Sequence, residues 1–161
     1  MKTLYLFRHA KSSWTFDLSD HDRPLGKRGR RDVLSMGKYL KGKIAPPQVI
    51  LSSTASRAFY TALHLCDFLD IDERNIKLTE ALFHAGPQEI LKVVQAAPEC
   101  DILAIFGHNP GFTSAANSMG NMNIDNVPTT GVVGISFDVD TWPEVNFGKG
   151  KQEFFYYPKG I

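Results

Sequence analysis

Cysteine, long apolar runs and excess charge are all scarce in this chain. Its two cysteines, Cys66 and Cys100, lie far apart and match neither a disulfide framework nor a metal-ligand spacing. No apolar run approaches the roughly 18 residues of a membrane-spanning helix, and residues 1–3 lack the features of a secretory signal. The formal net charge of +1 gives no overall electrostatic reason to bind nucleic acid or a membrane. We therefore expect reduced thiols, a cytoplasmic location and neither of those two partners.

The composition is that of an ordinary globular domain. Hydrophobic residues make up 43% of the 161 residues and charged residues 22%, a balance that allows a sizeable buried core. No repeat, low-complexity segment or interdomain linker interrupts the sequence. We expect one domain, residues 1–161.

Apolar runs typical of strands alternate with segments whose apolar residues recur every three or four positions. The runs predict strands at residues 4–7, 48–51, 75–80 and 101–107, and the periodic segments predict helices at 27–43, 55–69, 87–97 and after 111. This alternation predicts parallel strands with right-handed helical crossovers, a three-layer α/β sandwich. Two further strands, 131–138 and 152–157, are joined by a turn-rich stretch and should form an antiparallel pair at one edge of the sheet.

The helical periodicity also predicts which residues face the core. In the first helix the buried face should contain Val33, Met36, Gly37 and Leu40. In the second helix it should contain Ala55, Ala58, Phe59, Ala62, Cys66 and Leu69. Arg57 falls in the first turn of that helix, off this face, and His64 should be an exposed residue without a role.

Cationic and imidazole side chains follow three of the predicted strands. Arg8 and His9 end the first strand, Arg57 opens the helix after the second, and His108 follows the fourth. The carboxyl ends of parallel strands share one edge of a sheet, where they leave a crevice. Two guanidinium groups can bracket a phosphoryl group, and a neutral imidazole can attack phosphorus. The aperiodic loop 11–26 should form one wall of this site.

A basic cluster, Lys27 to Arg31, opens the first predicted helix. It is either a solvated helix start or a surface that attracts an acidic substrate or partner. Cations at a helix N-terminus oppose the macrodipole, which leaves room for the second interpretation. The sequence leaves both interpretations open.

These motifs resemble those of the histidine phosphatase (phosphoglycerate mutase-like) superfamily. Residues 8–15 are similar to its opening Arg-His-Gly signature, residues 52–62 to its second arginine motif, and residues 107–110 to its late histidine motif. The small size, residues 22–25 and the Gly-His-Asn-Pro form are most similar to the SixA-type phosphohistidine phosphatase branch. The resemblance spans residues 3 to about 138 and implies a phosphoglycerate mutase-like fold without a cap domain.

The resemblance also implies a two-step reaction at this site. His9 would attack phosphorus and become transiently phosphorylated, and water would then hydrolyse the phosphorylated enzyme. Its other ring nitrogen would be held by a nearby backbone carbonyl. Arg8, Arg57 and His108 would form the phosphate pocket, which should also bind free phosphate or sulfate. No metal or cofactor is implied, since the arginines supply the positive charge.

Two positions depart from the family pattern, and the general acid is open. Ala10 stands where glycine is usual, and Thr15 stands where many relatives carry an asparagine that contacts phosphate. Glu80, at the end of the third strand, matches the position of the proton donor in larger relatives. Asp20 and Asp22 are further candidates for this acid.

The favoured substrate is phosphohistidine in a protein, because the chain has no room for a cap domain that encloses small substrates. One alternative is a phosphatase of small phosphomonoesters or sugar phosphates. Another is a non-catalytic phosphate-binding or scaffolding module. A metal site built from His9, His84 and His108 is a further idea, although these residues lack metal-type spacing.

Overall fold

A six-stranded sheet forms the centre of the computed structural model, which describes residues 1–161. Its strands are β1 (Lys2–Arg8), β2 (Val49–Ser53), β3 (Ile76–Thr79), β4 (Ile102–Gly107), β5 (Val132–Phe137) and β6 (Gly150–Tyr156). The helices are α1 (Lys27–Leu40), α2 (Ser56–Leu69), α3 (Pro87–Gln95) and α4 (Gly111–Met119). Short 3₁₀ turns cover Asp20–Asp22, Glu73–Asn75, Glu80–Leu82, Trp142–Glu144 and Pro158–Gly160.

The strand order is β3-β2-β4-β1-β5-β6. The first four strands in this order are parallel, whereas β5 runs antiparallel to β1 and β6 antiparallel to β5. The predicted mostly parallel sheet with an antiparallel C-terminal edge is therefore confirmed. Because β2, β4 and β1 are neighbours, the residues that follow these three strands meet at one edge of the sheet.

Side chains that alternate along the strands fill two separate cores. Leu4 and Leu6 of β1 point into the core beneath α3 and α4, while Tyr5 and Phe7 point into the core beneath α1 and α2. Such alternation is what a strand covered on both faces requires. The predicted three-layer sandwich is confirmed, and the parallel strands are joined by single-helix crossovers, so the fold has no cap domain.

Three details of the predicted helices are wrong, and one is the end of α3, which lies at Gln95 rather than at residue 97. The first helix ends at Leu40 rather than at residue 43, because the chain turns extended at Lys41 and left-handed at Gly42, with φ of 79°. In α2 the buried face includes Arg57 and Thr61, whereas Phe59 is only half-buried. This face is rotated relative to the predicted one because the start of α2 packs against a polar cavity, where a guanidinium and a hydroxyl find partners.

The remaining predictions about exposure and thiols can be compared directly. The four core residues predicted for α1 are all buried, and His64 is exposed. Cys66 and Cys100 are free and buried, and burial raises the pKa of the Cys66 thiol to about 11. None of the helices has the length and apolar character needed to cross a membrane.

Candidate active site

A polar cavity of about 260 Å³ opens at the edge of the sheet where β1, β2 and β4 end. Arg8 is the last residue of β1, His9 follows it, and His108 directly follows β4. Arg57 enters from the first turn of α2. The structure thus brings all four predicted residues together. The loop between β1 and α1 forms a wall, as expected, through Lys11, Ser12, Trp14, Asp20 and Arg23.

His9 is held in one tautomer by the backbone. Its Nδ1 lies 2.7 Å from the carbonyl oxygen of Ala10, which can only accept, so Nδ1 carries the proton and Nε2 keeps its lone pair. The Ala10 amide is fixed in turn by the hydroxyl of Thr61, at 2.9 Å. Burial, followed by the charges of Arg57 and Arg8, lowers the pKa of His9 to about 3. The His9 imidazole is therefore neutral near neutral pH and held in one orientation, with Nε2 free to act as a nucleophile.

The two predicted arginines present buried nitrogen atoms that have no protein partner. Arg8 donates from Nη1 to the carbonyl oxygen of Val127 at 2.9 Å, and its Nε is buried and unpaired. Arg57 has only 2% of its surface exposed, and its Nε is also unpaired. Buried unpaired donors are costly, and two of them beside a neutral imidazole suit an anion such as a phosphoryl group.

His108 faces His9 across the cavity, with ring centroids 5.2 Å apart. Its Nε2 lies 2.8 Å from the hydroxyl of Ser53, the last residue of β2, and its Nδ1 is buried without a partner. Burial and the nearby His9 and Arg57 lower the pKa of His108 to about 2. This imidazole is thus neutral, and one ring nitrogen remains for a bound group.

Asp20 is the single acidic residue that lines the cavity. One carboxylate oxygen, Oδ1, accepts from Nε and Nη2 of Arg23 at 3.1 and 3.0 Å. The other, Oδ2, accepts from Nη2 of Arg57 at 3.0 Å and lies 2.9 Å from Nε2 of His84. Partial burial alone would raise the pKa of Asp20, but hydrogen bonds from His84 and Arg23 and the charge of Arg57 hold it well below its usual range.

His84 lies at the mouth of the cavity in a left-handed backbone conformation, with φ of 52°. Its side chain is 54% exposed, and its ring packs 4.2 Å from that of Phe83 and 5.2 Å from that of His108, measured between centroids. Residues other than glycine seldom adopt this conformation, and they do so mainly at functional or tightly constrained sites. The backbone thus turns the His84 imidazole towards Asp20.

Three residues considered from the sequence do not line the cavity. Glu80 is exposed and begins the 3₁₀ turn after β3, the outermost parallel strand, so the predicted catalytic role of Glu80 has no support from this geometry. Asp22 is exposed and bonds to Ser19, and Thr15 is exposed as well. Conversely, Arg23 lines the cavity and is buried against Asp20 and Ser12. The sequence motifs assign no site role to Arg23, although its position after two aspartates in the loop 11–26 is a signal that could indicate one.

No group of three or more His, Cys, Asp or Glu side chains is arranged to hold a metal ion. A site made of His9, His84 and His108 is thus not formed. The carbonyl and hydroxyl contacts of His9 and His108 engage one ring nitrogen of each.

The basic cluster is mostly solvated. Lys27, Arg28, Arg30 and Arg31 are exposed, whereas Gly29 is buried. Arg30 donates to the carbonyl oxygen of Leu25 at 2.9 Å. None of the four basic residues lines the polar cavity, so the structure supports a role at the helix start rather than in the candidate site.

A larger depression, of about 520 Å³, lies between β3 and α3. It is mainly apolar, and Lys77, Glu89 and Lys92 are its ionisable residues. It contains neither an imidazole nor a guanidinium group. Cavity volume alone would therefore point to this depression, whereas the imidazole and guanidinium groups line the smaller polar cavity.

Several solved structures share this fold. A SixA protein of Agrobacterium tumefaciens superposes with a TM-score of 0.82 at 23% identity over 98% of each chain. The protein histidine phosphatase SixA in complex with tungstate gives 0.80 at 18% identity, over 98% of this chain and 97% of that one. A mycobacterial glucosyl-3-phosphoglycerate phosphatase gives 0.66 at 13% identity, over 91% and 96%. These likenesses confirm a phosphoglycerate mutase-like fold.

Sequence comparison gives the family. An uncharacterized protein of Mycobacterium tuberculosis is 26% identical over 163 residues, which cover 94% of this chain and 99% of that protein. An uncharacterized chloroplastic protein of Arabidopsis thaliana is 29% identical over 76% of this chain and 61% of its own. The family model for branch 1 of the histidine phosphatase superfamily matches residues 4–86, which include Arg8, His9, Asp20 and Arg57. With this match and the cavity just described, the chain belongs to the histidine phosphatase superfamily.

Proposed function

We propose that this protein is a phosphatase that works through a phosphohistidine intermediate on His9. The observation that carries the proposal is the state of this side chain. Its Nδ1–H is fixed on the Ala10 carbonyl, its pKa is lowered to about 3, and its free Nε2 shares the cavity with Arg8 and Arg57. A nucleophile that is neutral, oriented and surrounded by cations is what attack on a phosphate dianion requires.

Arg8, Arg57 and His108 are proposed to bind the phosphoryl group. Each has a buried nitrogen atom without a protein partner, and phosphate oxygens are well matched to such donors. The arginines would neutralise the charge that grows on the equatorial oxygens as His9 attacks. A solved structure of SixA, whose fold this chain shares, contains bound tungstate, which resembles phosphate.

Protein-borne phosphohistidine is the substrate that we favour. The strands are joined by single helices, so no inserted domain covers the cavity, and a side chain on the surface of another protein can enter it. Trp14, Phe16 and Leu18 in the site loop are exposed and give that loop an apolar surface beside the cavity. The likeness to SixA structures points to the same substrate class.

Small phosphomonoesters are the second candidate. The specific observation in their favour is the shared fold of the mycobacterial glucosyl-3-phosphoglycerate phosphatase. A non-catalytic phosphate-binding module is disfavoured, because such a module has no need for an imidazole held neutral with one nitrogen free.

The test compares kcat/KM on a phosphohistidine-containing protein with kcat/KM on sugar phosphates. We expect the phosphoprotein to be preferred by at least about 10-fold, a difference of about 1.4 kcal/mol in transition-state binding. His9→Ala should abolish turnover of both. A preference for sugar phosphates would overturn the substrate assignment, and unchanged turnover by His9→Ala would overturn the mechanism.

A further inference from the structure

The leaving group needs a proton, and none of the three carboxyl groups considered from the sequence is suited to supply it. When His9 attacks, the bond from phosphorus to the leaving oxygen or nitrogen breaks, and its electron pair must be neutralised. Glu80 and Asp22 lie outside the cavity. Asp20 lies inside it, but its contacts with Arg23, Arg57 and His84 keep its carboxyl group ionised.

The other ionisable groups of the cavity are equally unsuited. His9 and His108 are buried and neutral, so they have no proton to give. Arginine does not lose its proton in proteins. The Lys11 side chain is exposed and makes no hydrogen bond, so nothing fixes its direction. Only one group of suitable chemistry remains.

That group is the imidazole of His84. Imidazole is the side chain that most readily exchanges protons near neutral pH, and this one lines the cavity mouth with 54% of its surface exposed. Its Nε2 is 2.9 Å from Asp20 Oδ2, so the carboxylate fixes the orientation of the imidazole ring. A carboxylate that orients an imidazole is a recurrent arrangement for proton transfer.

We propose that His84, positioned by Asp20, gives a proton to the leaving group and later takes one from the attacking water. This proposal rests on the proposed function. In the first step the Nε2 lone pair of His9 forms the bond to phosphorus, the bond to the leaving group breaks, and its electron pair takes the proton of His84. In the second step water attacks phosphorus, its proton passes to His84, and the electron pair of the phosphorus–nitrogen bond returns to His9.

The test uses His84→Asn and two substrates that differ in leaving group. Asparagine tolerates the left-handed backbone of this position. The value of kcat/KM reports the steps up to departure of the leaving group. For phenyl phosphate, whose leaving phenolate is basic, we expect a loss of about 100-fold or more. For p-nitrophenyl phosphate, which needs little protonation, the loss should stay below about 10-fold.

The exposed helix residue His64 provides the matched control. His64→Asn should leave both substrates unaffected, and tungstate should bind to His84→Asn about as tightly as to the wild-type protein, which shows that the phosphate pocket is intact. Equal losses on both substrates, or no loss on either, would overturn the assignment of His84. If the wild-type protein hydrolysed neither of these substrates nor a phosphohistidine-containing protein, the proposed function would fail, and the proton-donor assignment would fall with it.

Discussion

Asp20 places a negative charge among the groups proposed to bind phosphate. Both terminal nitrogens of Arg57 are engaged by this one residue, Nη1 by its carbonyl oxygen at 2.6 Å and Nη2 by its carboxylate at 3.0 Å. Arg23 and His84 complete the network. Asp20 therefore opposes the binding of a second anion while it fixes the direction of an arginine and an imidazole. A substitution that removes the charge of Asp20 but keeps the size of its side chain can separate these two effects.

Asp20→Asn should bind inorganic phosphate more tightly and turn over phenyl phosphate more slowly. Removing a charge near the bound anion is worth roughly 1 kcal/mol, or about fivefold in Kd. The amide also holds the His84 imidazole more weakly than the carboxylate does, because hydrogen bonds to a charged acceptor are stronger. Phosphate inhibition constants and kcat/KM measure the two effects.

Asp22→Asn is the matched control, because Asp22 is exposed and bonds to Ser19 and His21 outside the cavity. It should change neither quantity. Weaker phosphate binding by Asp20→Asn would contradict the view that this carboxylate opposes the ligand.

At the scale of elements, helix α1 positions the residues after His9 by a close backbone contact. A Cβ atom at Gly29 would lie 2.1 Å from the carbonyl oxygen of Lys11, and the same oxygen accepts a hydrogen bond from the Gly26 amide at 2.9 Å. The buried glycine within the basic cluster thus lets the helix approach the loop that leaves the site. The cluster thus begins a helix that packs against the backbone at Lys11.

Gly29→Ala should destabilise the fold by about 1–3 kcal/mol, as overpacking against backbone does, and should lower kcat by displacing Lys11 and its neighbours. Urea unfolding and steady-state kinetics measure these changes. Gly26→Ala is the control, since a Cβ there meets only ordinary contacts at 3.6 Å. Equal effects from the two substitutions would contradict the role given to Gly29.

The strands explain which site residues the sequence could reveal. Arg8, His9 and His108 stand at the ends of strongly apolar strands, so their convergence follows from the parallel order. Glu80 follows a strand too, but β3 lies beyond β2 at the sheet edge. Asp20 and His84 are 64 residues apart in sequence, in a loop and a left-handed turn. Only tertiary contacts place them, so no periodic pattern could pair them.

Across the whole molecule, the neutral buried histidines link stability to pH. In the folded protein the pKa of His9 is about 3 and that of His108 is about 2. Both values lie below the ordinary histidine pKa near 6.5. The unfolded chain therefore binds more protons below pH 6.5, and stability falls as the pH drops from there towards these values. The lowered pKa of Asp20 adds a further loss of stability, which begins as the pH falls below the ordinary carboxyl value near 4.

Between pH 7 and pH 5 the free energy of unfolding should fall by about 2 kcal/mol for each of these two histidines. Urea titrations at the two pH values measure the fall. His9→Gln should reduce it by about half, because glutamine does not titrate, whereas His64→Gln should leave it unchanged. A pH dependence that is the same in His9→Gln and the wild-type protein would contradict the neutral buried state of His9.

The central claim is that His9 becomes phosphorylated during turnover. The most direct measurement is mass spectrometry of the protein mixed with substrate and quenched without acid, since phosphohistidine is acid-labile. The account predicts an added phosphoryl group on the peptide that contains His9, and its absence from His9→Ala. Turnover by the wild-type protein with no phosphoryl group on His9, or with the group on another residue, would contradict it.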